Sequence, residues 1–145
     1  MLATALVDTG AILALLDGRD KWHDACVKTF REMRLPLATT IAVLTELFQL
    51  TIRDFGSMEP AWELINTQSI TVVPVSHTEL PRIRELMEKY RDHPMDFADA
   101  TLVHVADRES ISIIFTIDHD DFETYRLAGN KKFTIRPHRT ALRQF

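Results

Sequence analysis

Short apolar runs rich in β-branched residues alternate along this chain with longer stretches whose apolar positions recur every three or four residues. The runs at residues 2–7, 35–38, 70–75, 111–117 and 133–135 predict strands. The stretches between them predict helices over residues 9–16, 21–34, 40–55, 57–67, 78–91 and 97–109. In the second helix Trp22, Cys26, Val27, Phe30 and Met33 share one side. In the third, Ile41, Leu44, Leu47, Phe48 and Ile52 are expected to point inward, which leaves Glu46 on a polar face with Ala42, Thr45, Gln49 and Arg53. The helix at 97–109 is apolar almost all round, so it is expected to be buried. Pro74 cannot donate to a ladder, so the strand at 70–75 is expected near a sheet edge or close to its own end. Strands alternating with helices predict an α/β fold with a parallel sheet covered on both faces. In such folds the working site lies outside the carboxyl ends of the strands, where the strand order switches.

Acids mark those ends. Asp8 follows Ala5-Leu6-Val7, and Asp118 follows Ile113-Ile114-Phe115-Thr116-Ile117. Asp96 and Asp99 open the apolar helix. Carboxylates are seldom set against apolar segments without a counter-charge or a metal. Gathered together, these ends would make a site for a divalent cation, and so an enzyme acting on phosphate esters. Singly, each acid has a plainer reading. Asp8 and Asp96 are good N-caps, and Asp99 at N3 suits the helix dipole. Asp118 suits a turn, and Glu46 suits a solvated helix face. Asp118, Asp120 and Asp121 fall within four positions, however, and turn chemistry needs only one of them.

The 145 residues are enough for one domain with a real core, and no apolar run approaches a membrane span. The start Met1-Leu2-Ala3-Thr4-Ala5 has no basic region of the kind that opens a signal peptide. A single cysteine, Cys26, excludes a disulfide framework and fits a reducing cytoplasm. The net charge of −4 is unevenly spread: beyond Phe122 the tail carries Arg126, Lys131, Lys132, Arg136, Arg139 and Arg143 against Glu123 alone. A basic tail beside an acidic site suits a polyanion held by its backbone; a solvated basic terminus is the plainer alternative.

The acid-bearing segments form a recognisable series. Leu6-Val7-Asp8-Thr9, Leu44-Thr45-Glu46-Leu47, Met95-Asp96-Phe97-Ala98-Asp99-Ala100 and Thr116-Ile117-Asp118-His119-Asp120-Asp121-Phe122 resemble the PIN-domain ribonucleases, and among them the VapC-type toxins of toxin–antitoxin pairs. The resemblance covers nearly the whole chain, residues 1–145, read as one PIN-like domain. It implies a three-layer α/β/α sandwich with a mainly parallel sheet of about five strands. It implies a cytoplasmic endoribonuclease that hydrolyses RNA phosphodiester bonds with water activated by Mg²⁺ or Mn²⁺. It further implies that Asp8, Glu46, Asp99 and Asp118 are the metal-site acids, Glu46 directly or through water. Asp96 and Asp121 would share the cleft, and Thr116 matches the family's hydroxyl residue before the fourth acid. The extra acid Asp120 departs from the family's pattern. Partners implied are an RNA substrate, an antitoxin protein and a second copy of the chain. Lys131, Lys132, Arg136 and Arg139 are the candidate phosphate contacts.

Other chemistries fit less well. Asp8-Thr9-Gly10-Ala11 resembles the loop of retroviral-type aspartic proteases, but those are glycine-rich all-β dimers. A haloacid-dehalogenase-type phosphatase would need Asp at position 10, which is Gly. No Walker A loop, Gly-x-Gly-x-x-Gly or zinc spacing occurs. His23, His77, His93, His104 and His138 read as surface or helix residues, whereas His119 sits among the acids. A PIN-like scaffold that binds RNA or protein without cutting is the remaining alternative.

Overall fold

The protein is described from a computed structural model covering residues 3–55 and 57–144. In chain order its elements are β1 (Ala5–Val7), α1 (Thr9–Leu16), α2 (His23–Glu32), β2 (Leu37–Thr39), α3 (Ile41–Phe55), α4 (Glu59–Asn66) and β3 (Ile70–Val72). There follow α5 (Leu80–Lys89), α6 (Phe97–Glu109), β4 (Ile113–Phe115), α7 (His119–Thr124), β5 (Arg126–Leu127), β6 (Lys131–Lys132) and β7 (Thr134–Arg136). Five strands form one sheet in the order β3-β2-β1-β4-β7, with every neighbouring pair parallel. Helices flank it to give the α/β/α sandwich expected from the alternating pattern. Among the helices, α1 packs on α2, α3 and α4, α5 packs on α6, and α3 also meets α6.

The sheet's centre explains its sequence. Leu6 pairs in register with Ala38 on one side and Ile114 on the other, and all three are fully buried. A strand covered on both faces has no polar face to present, hence the apolar runs rather than alternation. The observed strands are shorter than the runs that predicted them. Pro74 lies just past the end of β3, which is indeed an edge strand. Position 2, expected to begin the first strand, lies outside the described residues.

Two expectations are corrected here. Ile41 and Ile52 do not point inward: they are 64% and 57% exposed, whereas Val43, Leu44, Leu47 and Thr51 are buried. The buried stripe of α3 is therefore rotated from the expected one, and this turns Glu46 from a solvated face toward the carboxyl ends of the strands. His104, read as a surface or helix residue, is in α6 but buried, and its Nε2–H donates to Glu79 Oε1 at 2.7 Å. Glu79 closes a capping box with Ser76 on a 3₁₀ turn before α5 and also pairs with Arg108; the Ser76 backbone N–H, then His104 and Arg108, hold its carboxyl well below the usual range. That cluster fastens the segment after β3 to α6. α7 and the β5–β6 hairpin were not foreseen, because such short elements show no hydrophobic period.

Candidate active site

The chain runs outward from β1 through β2 to β3, then crosses to the other side of β1 for β4 and β7. The strand order thus switches between β1 and β4, where an α/β sheet opens a crevice. Val7 and Phe115 lie side by side at the ends of these strands. The next residues are Asp8 and Thr116, with Asp118 two positions further on, so the fold itself brings the acids Asp8 and Asp118, 110 positions apart, to one place.

Asp8 is only 3% exposed. Its Oδ1 caps α1 by accepting from Ala11 N at 3.1 Å, and its Oδ2 accepts from Thr116 Oγ1 at 2.5 Å. The same Thr116 oxygen accepts from Asp118 N at 2.9 Å, so one buried hydroxyl fixes both acid-bearing turns. Capping and a place in the cleft are not alternatives for Asp8; the side chain does both. Asp96 caps α6, with Oδ1 accepting from Asp99 N at 2.7 Å. Asp99 stands at N3, its Oδ2 accepting from Tyr125 Oη at 2.9 Å. Glu46 Oε1 accepts from Thr9 Oγ1 at 3.1 Å. His93 Nε2–H donates to Asp121 Oδ1 at 2.7 Å. Gly10 permits the close approach of the Asp118 loop: a Cβ there would lie 3.2 Å from Ile117 Cγ1 and 3.8 Å from Asp118 Oδ2.

Asp8, Glu46, Asp96, Asp99, Asp118 and Asp121 together line a cavity of about 230 Å³, and none of the described residues lining it is a lysine or arginine. Four of these carboxyls, those of Asp8, Glu46, Asp99 and Asp118, are raised. Burial, then Asp118, push the Asp8 carboxyl well above its ordinary value. Burial, then Asp121, raise Asp118; burial, then Asp96, raise Glu46. Asp99 is pushed up to about 7, first by burial and next by Asp96. Such shifts mark negative charge that the protein itself leaves uncompensated.

The remaining predicted residues lie elsewhere. Asp120 faces away and pairs with Arg139 Nη2 at 2.5 Å; Arg139 also holds Glu123 at 2.9 Å. Of the three neighbouring acids, Asp118 and Asp121 line the cleft and Asp120 does not. His119 is buried against Trp22, ring centroids 5.0 Å apart, and donates to the Pro137 carbonyl at 2.9 Å. Lys131 and Lys132 are exposed on β6, and Arg136 Nη1 donates to the Ile135 carbonyl at 2.9 Å. None of these four basic side chains lines the acid cavity. Sequence reasoning missed Tyr125 and His93, which hold Asp99 and Asp121 from behind.

The donor set is carboxylate oxygen throughout, which suits a hard cation such as Mg²⁺ or Mn²⁺ and not a thiolate- or imidazole-bound one. Among the described residues no three Asp, Glu, His or Cys side chains close into a ready-made cage. The acids ring a cavity instead.

A family model for the PIN domain matches residues 5–127, a span that takes in all six cleft acids and Tyr125. The chain belongs to the PIN-domain family. The PIN fold is also found in the crystal structure of VapC20 from Mycobacterium tuberculosis, a toxin that cleaves the sarcin–ricin loop. That structure superposes with a TM-score of 0.72 at 22% identity over 80% of this chain and 91% of VapC20. At that identity the likeness is one of fold. No curated protein sequence matches this PIN chain.

Proposed function

We propose that this PIN protein is a metal-dependent endoribonuclease and the toxin of a toxin–antitoxin pair. The observation that carries the reading is the cleft itself: six carboxylates at the topological switch point with no lysine or arginine among the described residues lining it, and with Asp8, Glu46, Asp99 and Asp118 raised by burial and by one another's charge. A scaffold that only bound RNA would gain nothing from this repulsion, and a polyanion would be turned away from it. Asp8, Asp99 and Asp118 would hold Mg²⁺ or Mn²⁺, with Glu46 direct or through water. The bound ion supplies Lewis acidity, an activated water and neutralisation of charge on the scissile phosphate. The protein's part is positional. Thr116 orients Asp8, Thr9 orients Glu46, and Asp96 fixes the first turn of α6 that presents Asp99. Asp121 adds a further acid at the cleft rim. Hydrolysis would leave a 3′-hydroxyl and a 5′-phosphate.

Lys131 and Lys132, on an exposed hairpin, would hold the RNA backbone together with Arg136 on β7, while Arg139 is already committed to Asp120 and Glu123. The toxin reading brings with it a cognate antitoxin, a homodimer and a cytoplasmic setting. Exposed Ile41, Leu80 and Phe97, beside the acid cavity, give protein partners an apolar surface. Among the described residues no helix is long and apolar enough to cross a membrane.

The test is cleavage of total RNA and of a sarcin–ricin loop oligonucleotide by purified protein. Chelator should abolish it, Mg²⁺ or Mn²⁺ should restore it, and Ca²⁺, with its longer and looser coordination, should restore it poorly. Asp8→Asn serves as the control. Undiminished cleavage in excess chelator would refute the metal-dependent mechanism.

A further inference from the structure

We propose that Tyr125 is a positioning residue of the acid site: its hydroxyl fixes the Asp99 carboxylate in the orientation that takes up the metal. This rests on the reading of Asp99 as a metal ligand given above. Tyr125 is fully buried, and its ring packs edge-on against Tyr90, Phe122 and His93 at centroid distances of 5.2, 5.3 and 6.0 Å. A phenylalanine would fill that space equally well. The hydroxyl is what phenylalanine lacks, and it donates to Asp99 Oδ2 at 2.9 Å. A phenol placed in an apolar pocket needs a partner, and this one is aimed at a cleft acid rather than at the backbone.

Its mounting is equally specific. Tyr125 closes α7, with its N–H donating to the Asp121 carbonyl at 3.0 Å. The next residue is pinned as well, because Arg126 N donates to the Tyr90 hydroxyl at 2.8 Å. His93, from the same turn region as Tyr90, packs edge-on against Tyr125 and donates to Asp121. Tyr125 therefore joins the element that carries Asp118 and Asp121 to the helix that carries Asp99. With Oδ2 held, the Asp99 carboxylate, which lines the cavity, loses the freedom to swing away. Hydrogen-bonded partners behind a metal ligand set ligand orientation and commonly change metal affinity 10–100-fold when removed.

The experiment is calorimetric titration of the metal-free full chain with Mn²⁺, for the parent, Tyr125→Phe and Asp99→Asn, with circular dichroism to confirm that each is folded. Tyr125→Phe should bind Mn²⁺ about tenfold more weakly, with an unchanged KM for RNA at saturating Mn²⁺. Asp99→Asn should lose the binding. Parent-like Mn²⁺ affinity in Tyr125→Phe, alongside loss in Asp99→Asn, would overturn the positioning role and leave the metal site standing. A raised RNA KM with unchanged Mn²⁺ affinity would overturn it equally. Parent-like Mn²⁺ affinity in Asp99→Asn would overturn the metal-site reading itself.

Discussion

Replacing Asp99 by asparagine should stabilise the metal-free protein at neutral pH. The folded-state pKa of Asp99 lies near 7, against an ordinary value of 3.8. Between those values the folded chain binds more protons than the unfolded one, so the parent loses stability as pH rises and regains it as pH falls. Asparagine stands in for the neutral acid and can still accept from Tyr125. Linkage with these two values gives the variant an advantage of about 4 kcal/mol at pH 7.5 and about 2 kcal/mol at pH 5.5. Asp99 faces an open cleft, and solvent screening brings the expectation to roughly half of each. For a chain of this size that corresponds to a rise in Tm of about 6 °C at pH 7.5 and about 3 °C at pH 5.5. Mn²⁺ should reverse the order, since it binds the ionised parent and adds stability by mass action. The assay is a set of thermal melts of both proteins, with chelator and with Mn²⁺, at the two pH values. A metal-free parent more stable than Asp99→Asn at pH 7.5 would mean that the acids are compensated within the fold, and the reasoning from their repulsion would fail.

Asp118→Asn should lower RNA cleavage at least ~100-fold, as for loss of a metal ligand, while Asp120→Asn should leave turnover nearly intact; the reverse ranking would displace Asp118 from the site. Neutralising Lys131, Lys132 and Arg136 together should weaken RNA binding and reduce the slope of log affinity against log salt by about 2, at roughly 0.7 per phosphate contact on a single strand. Arg139→Gln should reduce it little, because Arg139 is held by Asp120 and Glu123. An unchanged slope in the triple variant would place the RNA elsewhere.

The parts of this fold that were legible are those governed by local chemistry. The α6 helix could be read because Asp96 caps it and an apolar run follows, and the strand ends could be read because Asp8 and Asp118 interrupt buried runs. The inward face of α3 could not. Ile41 and Ile52 have core-like spacing yet face solvent, because periodicity identifies an apolar stripe without saying what will cover it. Glu46 was misplaced for the same reason. The pairing of Tyr125 with Asp99 spans 26 positions and that of His104 with Glu79 spans 25, distances over which no sequence period carries information. Choosing among Asp118, Asp120 and Asp121 required knowing that residues 119–124 form a helix, which turns the middle acid outward toward Arg139.

The bond from Thr116 to Asp8 has a consequence for synthesis. It joins residues 108 positions apart across a parallel strand pair, the kind of contact that is costly to close and forms late. During translation the first acid emerges long before the partners that complete the cleft. A chain stopped short of β4 carries Asp8, Glu46, Asp96 and Asp99 but lacks the strand that pins the first of them. For a protein whose proposed substrate is RNA, this ordering leaves the six-acid cleft incomplete in the nascent chain until β4 and α7 have been made.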